Sequence, residues 1–330
     1  MAVSIRNPKS LKEKPQQKNE IFYEDIITGL RMSPKQLPSK YFYDETGDRL
    51  FREIMNTPEY YLTACEMEIF TNQTKKLASS ITENYNEFEL IELGPGDCSK
   101  SFFLLKELSE QNIHYVFTPI DISENIIMDI KHSLPKKLPG IYISPLNGEY
   151  FAMLEKTNSR PGFPKVILCL GANIGNMTMD DCYVFCKRMR TYMQPGDMAI
   201  IGFDLKKNPR VIRSAYDDSL GITRKFNFNL LNRINRELGA DFNADYFEHY
   251  CSYDPQTGSC KSYLICLKDM VVHIADDVFY FKKDEYIWVE ISQKYSLNEI
   301  NELAAQTGFS PKKNMLDSKG WFADAVWIAV

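Results

Sequence analysis

The apolar and polar positions of the chain fall into two rhythms. Up to about residue 206, apolar runs of strand length alternate with amphipathic stretches of helix length. The pattern predicts a helix over 20–30, a short amphipathic helix over 48–56 that stops before Pro58, and a long helix from 63 to about 85. Thr63-Ala-Cys-Glu66 reads as the capping box that opens this last helix. Strands at 87–93, 115–121, 141–146, 165–171 and 198–204 then alternate with helices at 99–110, 123–132 and 178–192. Such alternation predicts a doubly wound, mostly parallel α/β sheet. After Asp204 the rhythm changes. Helices near 209–217 and 226–238 precede strands near 261–267, 269–274, 278–282 and 286–292, whose polar and apolar residues alternate as in antiparallel sheet. A helix at 296–307 and two strands, the last at 323–330, close the chain. The expected domains are a flexible tail (1–19), an α+β domain (20–63 plus 207–293) and the parallel-sheet domain (64–206 plus 294–330), with a ligand cleft between the last two.

Composition narrows the function classes. The chain has 330 residues, 44% of them hydrophobic and 25% charged, with a net charge of −5. Basic residues occur only in short pairs such as Lys136-Lys137, so neither nucleic acid nor a membrane surface is the expected partner. No apolar run is long enough to span a bilayer, and the first twenty residues are polar, without an apolar signal core. The eight cysteines form no C-x-x-C, and Cys182 and Cys186 sit one helical turn apart. The four histidines (114, 132, 249 and 273) show no metal-ligand spacing. Reduced structural thiols, no metal and a cytoplasmic location are expected.

The chemistry is most legible in Leu90-Ile-Glu-Leu-Gly94-Pro-Gly96-Asp-Cys-Ser-Lys100. A buried strand enters a glycine turn and then a helix. Glycines there admit a ligand where a Cβ would block it, and the helix start offers unpaired N–H groups. The next strand ends on Asp121, placed to hold a ribose. The dinucleotide pattern G-x-G-x-x-G fails at Ser99. The form actually present, with Glu92 before Gly94 and Gly96, is common in S-adenosylmethionine sites, where such an acid helps position the methionine end. A nicotinamide-dependent oxidoreductase remains the less favoured alternative.

Longer motifs carry a family resemblance. Leu37-Pro-Ser-Lys-Tyr-Phe-Tyr43-Asp44, Thr57-Pro-Glu-Tyr60-Tyr61-Leu-Thr63, Glu92-Leu-Gly-Pro-Gly96, Gly171-Ala-Asn-Ile-Gly-Asn176, Ala215-Tyr216-Asp217-Asp218 and Asn235-Arg-Glu-Leu238 occur in order across residues 20–330. The chain resembles the histidine-specific, S-adenosylmethionine-dependent methyltransferases, and within them the type that makes hercynine for ergothioneine. This resemblance implies a Rossmann-like class I methyltransferase sheet, mostly parallel with an antiparallel last strand, and a second α+β substrate-binding domain. It implies S-adenosylmethionine as cofactor, contacted by Glu92, Gly94, Gly96, Lys100, Asp121, Glu149, Tyr150, Gly171 and Tyr60. Glu149-Tyr150 stands where the family often has Asp-Phe.

The resemblance further implies that Tyr60, Asn176 and Tyr216 hold the amino and carboxylate ends of an amino acid, that Tyr43 and Phe51 line the pocket, and that Glu290 and Ser292 read an imidazole. Ser262 falls where the hercynine-forming enzymes have a methionine, which leaves another amino acid or amine open as substrate. The expected reaction is methyl transfer to the α-amino nitrogen of histidine, with Tyr43, or a water held by the tyrosine and Asn176 cluster, as the candidate relay for the amine's proton. A monomer is expected, with any downstream enzyme on a separate chain.

Overall fold

The computed structural model describes residues 15–157 and 163–330. Its strands in chain order are β1 (Lys35–Gln36), β2 (Glu87–Leu93), β3 (His114–Asp121), β4 (Tyr142–Ile143), β5 (Leu146–Asn147), β6 (Lys165–Cys169) and β7 (Met198–Asp204). They continue with β8 (Phe247–Tyr253), β9 (Ser259–Cys266), β10 (Met270–Ile274), β11 (Asp277–Phe281), β12 (Tyr286–Gln293), β13 (Phe309–Leu316) and β14 (Phe322–Ala329). β2, β6, β7 and β14 are buried along almost their whole length. Strands covered on both faces belong in the middle of a sheet. These four are the middle of an eight-stranded sheet ordered β13-β14-β7-β6-β2-β3-β4, with β5 paired to β3. β3, β2, β6 and β7 run parallel, while β14 is antiparallel to both β7 and β13. This is the expected Rossmann-like class I methyltransferase sheet with its antiparallel last strand.

The chain divides into two compact units. The larger comprises Met55–Tyr216, Ser252–Cys260 and Ile291–Val330 and carries the eight-stranded sheet. One face of that sheet packs on helices Met179–Arg190 and Leu297–Gln306 through Cys182, Cys186, Met189, Ile300 and Leu303. Trp327 sits at the centre, fully buried, with ring centroids 5.6 Å from Phe203 and 5.5 Å from Phe309. The smaller unit comprises the described residues 15–54, Asp217–Cys251 and Lys261–Glu290. It holds helix Pro15–Arg31, which buries Phe22, Ile26, Ile27 and Leu30, and helix Ile222–Leu238. Gly239, at φ +68°, ends the latter by donating to Asn235 O (3.1 Å). This unit also carries most of a sheet ordered β1-β12-β9-β8. No helix among the described residues is long and apolar enough to cross a membrane, and all eight cysteines are buried and free.

Several elements depart from the periodicity. Of the expected tail, residues 1–14 lie outside the described residues, and the first helix already begins at Pro15. The helix expected over 63–85 is two, Leu62–Asn72 and Thr74–Thr82, parted at Gln73. The hydroxyl of Thr71 donates back to Met67 O (2.9 Å), and Gln73 Nε2 is drawn to Leu316 O (2.7 Å); such side-chain bonds compete with the helical ladder. The strand expected over 141–146 shrinks to β4 and β5, because Pro145 between them has no N–H to give a ladder. β10 and β11 pair only with each other, as a separate hairpin. β1, two residues parallel to β12, has too few residues to show a period.

The indole N–H of Trp327 has no acceptor among the described residues, so the residue contributes through packing. Trp327→Phe should cost less than about 1.5 kcal/mol and Trp327→Ala about 3–5 kcal/mol in denaturant unfolding; equal losses would place the indole N–H in a bond that matters.

Candidate active site

At the carboxyl end of β2 the chain turns on Gly94, whose N–H donates to Ile120 O (2.9 Å). Gly94 has φ +68°, and a Cβ there would lie 2.6 Å from Tyr150 Oη and 3.2 Å from Asn173 Nδ2. Gly171, after β6, would bring a Cβ to 3.3 Å from Lys100 Nζ. Gly94, Lys100, Tyr150, Gly171 and Asn173 therefore converge at one sheet edge, where parallel sheets bind ligands. Two non-glycine residues beside them, Cys98 and Ala172, also hold positive φ (56° and 53°), the kind of strain that collects at binding loops. Asp121 ends β3 with Oδ1 accepting from Ser123 N (2.8 Å). Glu149 is exposed just before helix Tyr150–Thr157.

Below this edge lies a group of buried carboxylates. Glu66 is not a capping residue: helix Leu62–Asn72 has no side-chain cap, and the expected capping box is overturned by where Glu66 points. Its carboxylate accepts from Gly171 N (2.7 and 3.0 Å) and from Lys100 Nζ. Glu66 needs Gly202 beneath it, since a Cβ at 202 would come within 2.5 Å of Oε1. Asp324, opposite Gly202 on β14, is fully buried with neither oxygen hydrogen-bonded among the described residues. Burial, then the charge of Glu66, holds its carboxyl well above the ordinary range, against the pull of Lys100. Glu92 on β2 is also buried, its Oε2 unpartnered. Burial pushes its pKa to about 8, opposed by Ser101 and Lys100. Three buried carboxyls around one lysine suit a ligand that brings positive charge. Lys100, expected as a cofactor contact, is engaged with Glu66. Sequence reasoning missed the roles of Glu66 and Asn173, whose neighbours lie far along the chain.

The residues expected to hold an amino acid appear in two groups, one in each unit. In the larger unit, the rings of Tyr60 and Tyr216 meet edge to face at 6.3 Å, and Tyr216 Oη lies 2.6 Å from Ser292 Oγ. Asn176 closes the short 3-10 turn Asn173–Asn176 after β6, with its side chain exposed. In the smaller unit, Tyr43 packs edge-on against Phe51 and Phe226, both at 5.6 Å. Buried Ser262 donates through Oγ to Glu290 Oε2 (3.2 Å), so the two strands β9 and β12 bring this pair together. Tyr43 keeps 44% of its surface exposed. Desolvation, then the charges of Glu290 and Asp48, nevertheless raises its pKa, so the phenol stays protonated near neutral pH.

The raised pKa of Glu92 has a stability consequence. Its neutral form is favoured in the fold, so the stabilisation is complete below the unfolded value and is lost as pH rises through about 8. In the ligand-free protein, the Tm of Glu92→Gln relative to the wild type should rise by about 3 °C or more between about pH 5 and about pH 9. A constant difference in thermal melts would mean that Glu92 is ionised in the fold.

Comparison with known proteins identifies the family. The family described as histidine-specific methyltransferase, SAM-dependent, matches residues 22–329. The histidine N-alpha-methyltransferase of Mycobacterium tuberculosis is 31% identical over 300 residues, which cover 90% of this chain and 92% of that protein. The protein of the same name from Mycolicibacterium smegmatis is 30% identical over 305 residues, covering 92% and 93%. Ergothioneine biosynthesis protein 1 of Schizosaccharomyces pombe is 29% identical over 280 residues, 83% of this chain but 36% of that longer protein. The glycine turn and the buried Glu92, whose Oε2 has no partner among the described residues, leave room and negative potential at this edge. The chain belongs to the histidine-specific, S-adenosylmethionine-dependent methyltransferase family.

Proposed function

We propose that this enzyme methylates the α-amino group of L-histidine, up to the trimethylated betaine hercynine. The observation that carries the substrate is the Ser262–Glu290 pair. A carboxylate held on a strand can accept from an imidazole N–H or pair with imidazolium. Ser262, smaller and more polar than the methionine it replaces, turns its hydroxyl onto that carboxylate and orients it. The names of the relatives, two histidine N-alpha-methyltransferases and an ergothioneine biosynthesis protein, support the same reading.

S-adenosylmethionine, when bound, supplies a methyl group already activated on a sulfonium. Asp121 would hold its ribose, Tyr150 and Glu149 its adenine end, and Glu92 with the glycine turn its methionine end. The protein's remaining work is to position a neutral amine and exclude water. Asn176 can donate and accept at once, so it meets both the carboxylate and the amine. Tyr60 and Tyr216 flank the same amino-acid end, while Tyr43 and Phe51 form an aromatic wall. Because Tyr43 stays protonated near neutral pH, it can take up the amine's proton only as it releases its own hydroxyl proton to the solvent it faces, acting as a relay. Repeated transfer needs room for the nitrogen to turn while carboxylate and imidazole stay gripped.

Mass spectrometry of the protein incubated with S-adenosylmethionine and all common amino acids should show histidine gaining up to three methyl masses. Methylation of another amino acid instead would keep the chemistry and reject the substrate. Glu290→Ala should reduce kcat/KM for histidine by about thirtyfold, roughly 2 kcal/mol. Asn176→Ala should weaken histidine binding strongly in calorimetry while cofactor affinity changes little; equal loss of both would reject its assignment to the amino acid.

A further inference from the structure

The loop after β6 passes through two residues at positive φ, Gly171 (76°) and then Ala172 (53°). The second carries a Cβ, and a non-glycine residue held there costs free energy, so its surroundings must impose the conformation. The reversal leads into the 3-10 turn Asn173–Asn176, which has an asparagine at each end. Residues three apart in such a turn eclipse one another, so the side chains of Asn173 and Asn176 leave it on the same side. All of these residues belong to the larger unit.

Asn173 stands against both glycines of the candidate cofactor edge. A Cβ at Gly94 would lie 3.2 Å from its Nδ2, and a Cβ at Gly171 would lie 3.8 Å from both Nδ2 and Oδ1. Glycine at these two positions therefore keeps the space in front of the amide open. The neighbouring donors are already engaged: Gly171 N and the Lys100 ammonium both donate to Glu66. The amide of Asn173 is half-buried and has no hydrogen-bond partner among the described residues. It offers two N–H donors and one carbonyl acceptor. An amino-acid end presents an ammonium and a carboxylate on one carbon, so a single amide can accept from the first and donate to the second.

We propose that Asn173 binds the amino-acid end of S-adenosylmethionine. The 3-10 turn then serves two ligands from one side, the cofactor at Asn173 and the amino-acid substrate at Asn176. The inference rests on the reading that the glycine turn receives the methionine end of the cofactor. It adds a contact that the sequence motifs do not assign.

The test measures three dissociation constants by calorimetry in the wild type and in Asn173→Ala. The ligands are S-adenosylhomocysteine, methylthioadenosine (the same nucleoside and sulfur without the amino-acid end, read by its competition with S-adenosylhomocysteine), and histidine with S-adenosylhomocysteine saturating each protein. In the variant, the Kd of S-adenosylhomocysteine should rise about tenfold, while those of methylthioadenosine and histidine change less than about twofold. Unchanged S-adenosylhomocysteine binding would overturn the assignment. An equal loss for methylthioadenosine would move Asn173 away from the amino-acid end and overturn it too. An equal loss for histidine would mean that the turn has collapsed and that Asn173 is structural. A wild type that binds S-adenosylhomocysteine no more tightly than methylthioadenosine would instead reject the placing of the methionine end at the glycine turn. Should Asn173→Ala not fold, Asn173→Leu, which keeps the bulk and removes the hydrogen bonds, is measured in the same way.

Discussion

One carboxylate organises much of the larger unit. Asp204 stands at the carboxyl end of β7, essentially without solvent, and accepts from two lysines and a tyrosine. Burying charges of this kind costs several kcal/mol per ion unless each is paired and its hydrogens are used. Here the pairing is dense. Lys294 reaches from the end of β12, Lys207 lies three residues beyond Asp204 in the segment that leaves β7, and Tyr61 comes from the start of helix Leu62–Asn72. Three segments distant in sequence are thereby tied to one point. Tyr216 and Ser292 take their orientation from the same point.

A second polar group works by the opposite imbalance. Around Glu66, Glu92 and Asp324 the described residues place one ammonium, Lys100. Glu66 links Gly171 and Lys100, so the loops after β6 and β2 share a partner. Burial disfavours the charged forms of Glu92 and Asp324 and raises both carboxyls above the ordinary range. A cationic ligand relieves that condition, and the cofactor of this family carries such a charge on its sulfonium. The two groups differ: around Asp204 two lysines and a tyrosine meet one carboxylate, whereas around Lys100 the carboxyls outnumber the ammonium among the described residues.

In the smaller unit, strand register decides the chemistry. Glu290 and Ser262 are 28 positions apart in sequence and meet across β12 and β9. Tyr43, Phe51 and Phe226 form one aromatic cluster from a loop and two helices. Tyr43 is exposed and Ser262 is buried, so the aromatic cluster keeps a face toward solvent while the Ser262–Glu290 pair is set behind the surface.

By itself the sequence determined what depends on near neighbours. The buried runs of β2, β6 and β7 announce central strands, because a strand covered on both faces has no polar side. The glycine turn after Glu92 and the acid closing β3 follow from local backbone needs and short spacing. Only the tertiary structure decided the rest. Glu66 looked like a helix cap because Thr63 stands three residues before it, yet its carboxylate serves Gly171 and Lys100 instead. Gln73 broke a helix that periodicity carries through to residue 85, because its amide found Leu316. Lys294 looked like an ordinary lysine after a strand, and its buried ammonium has partners 90 and 78 positions away. Periodicity records which face of an element is covered, but not which distant side chain covers it. A buried charge is set by such partners, which become neighbours only when the chain has folded.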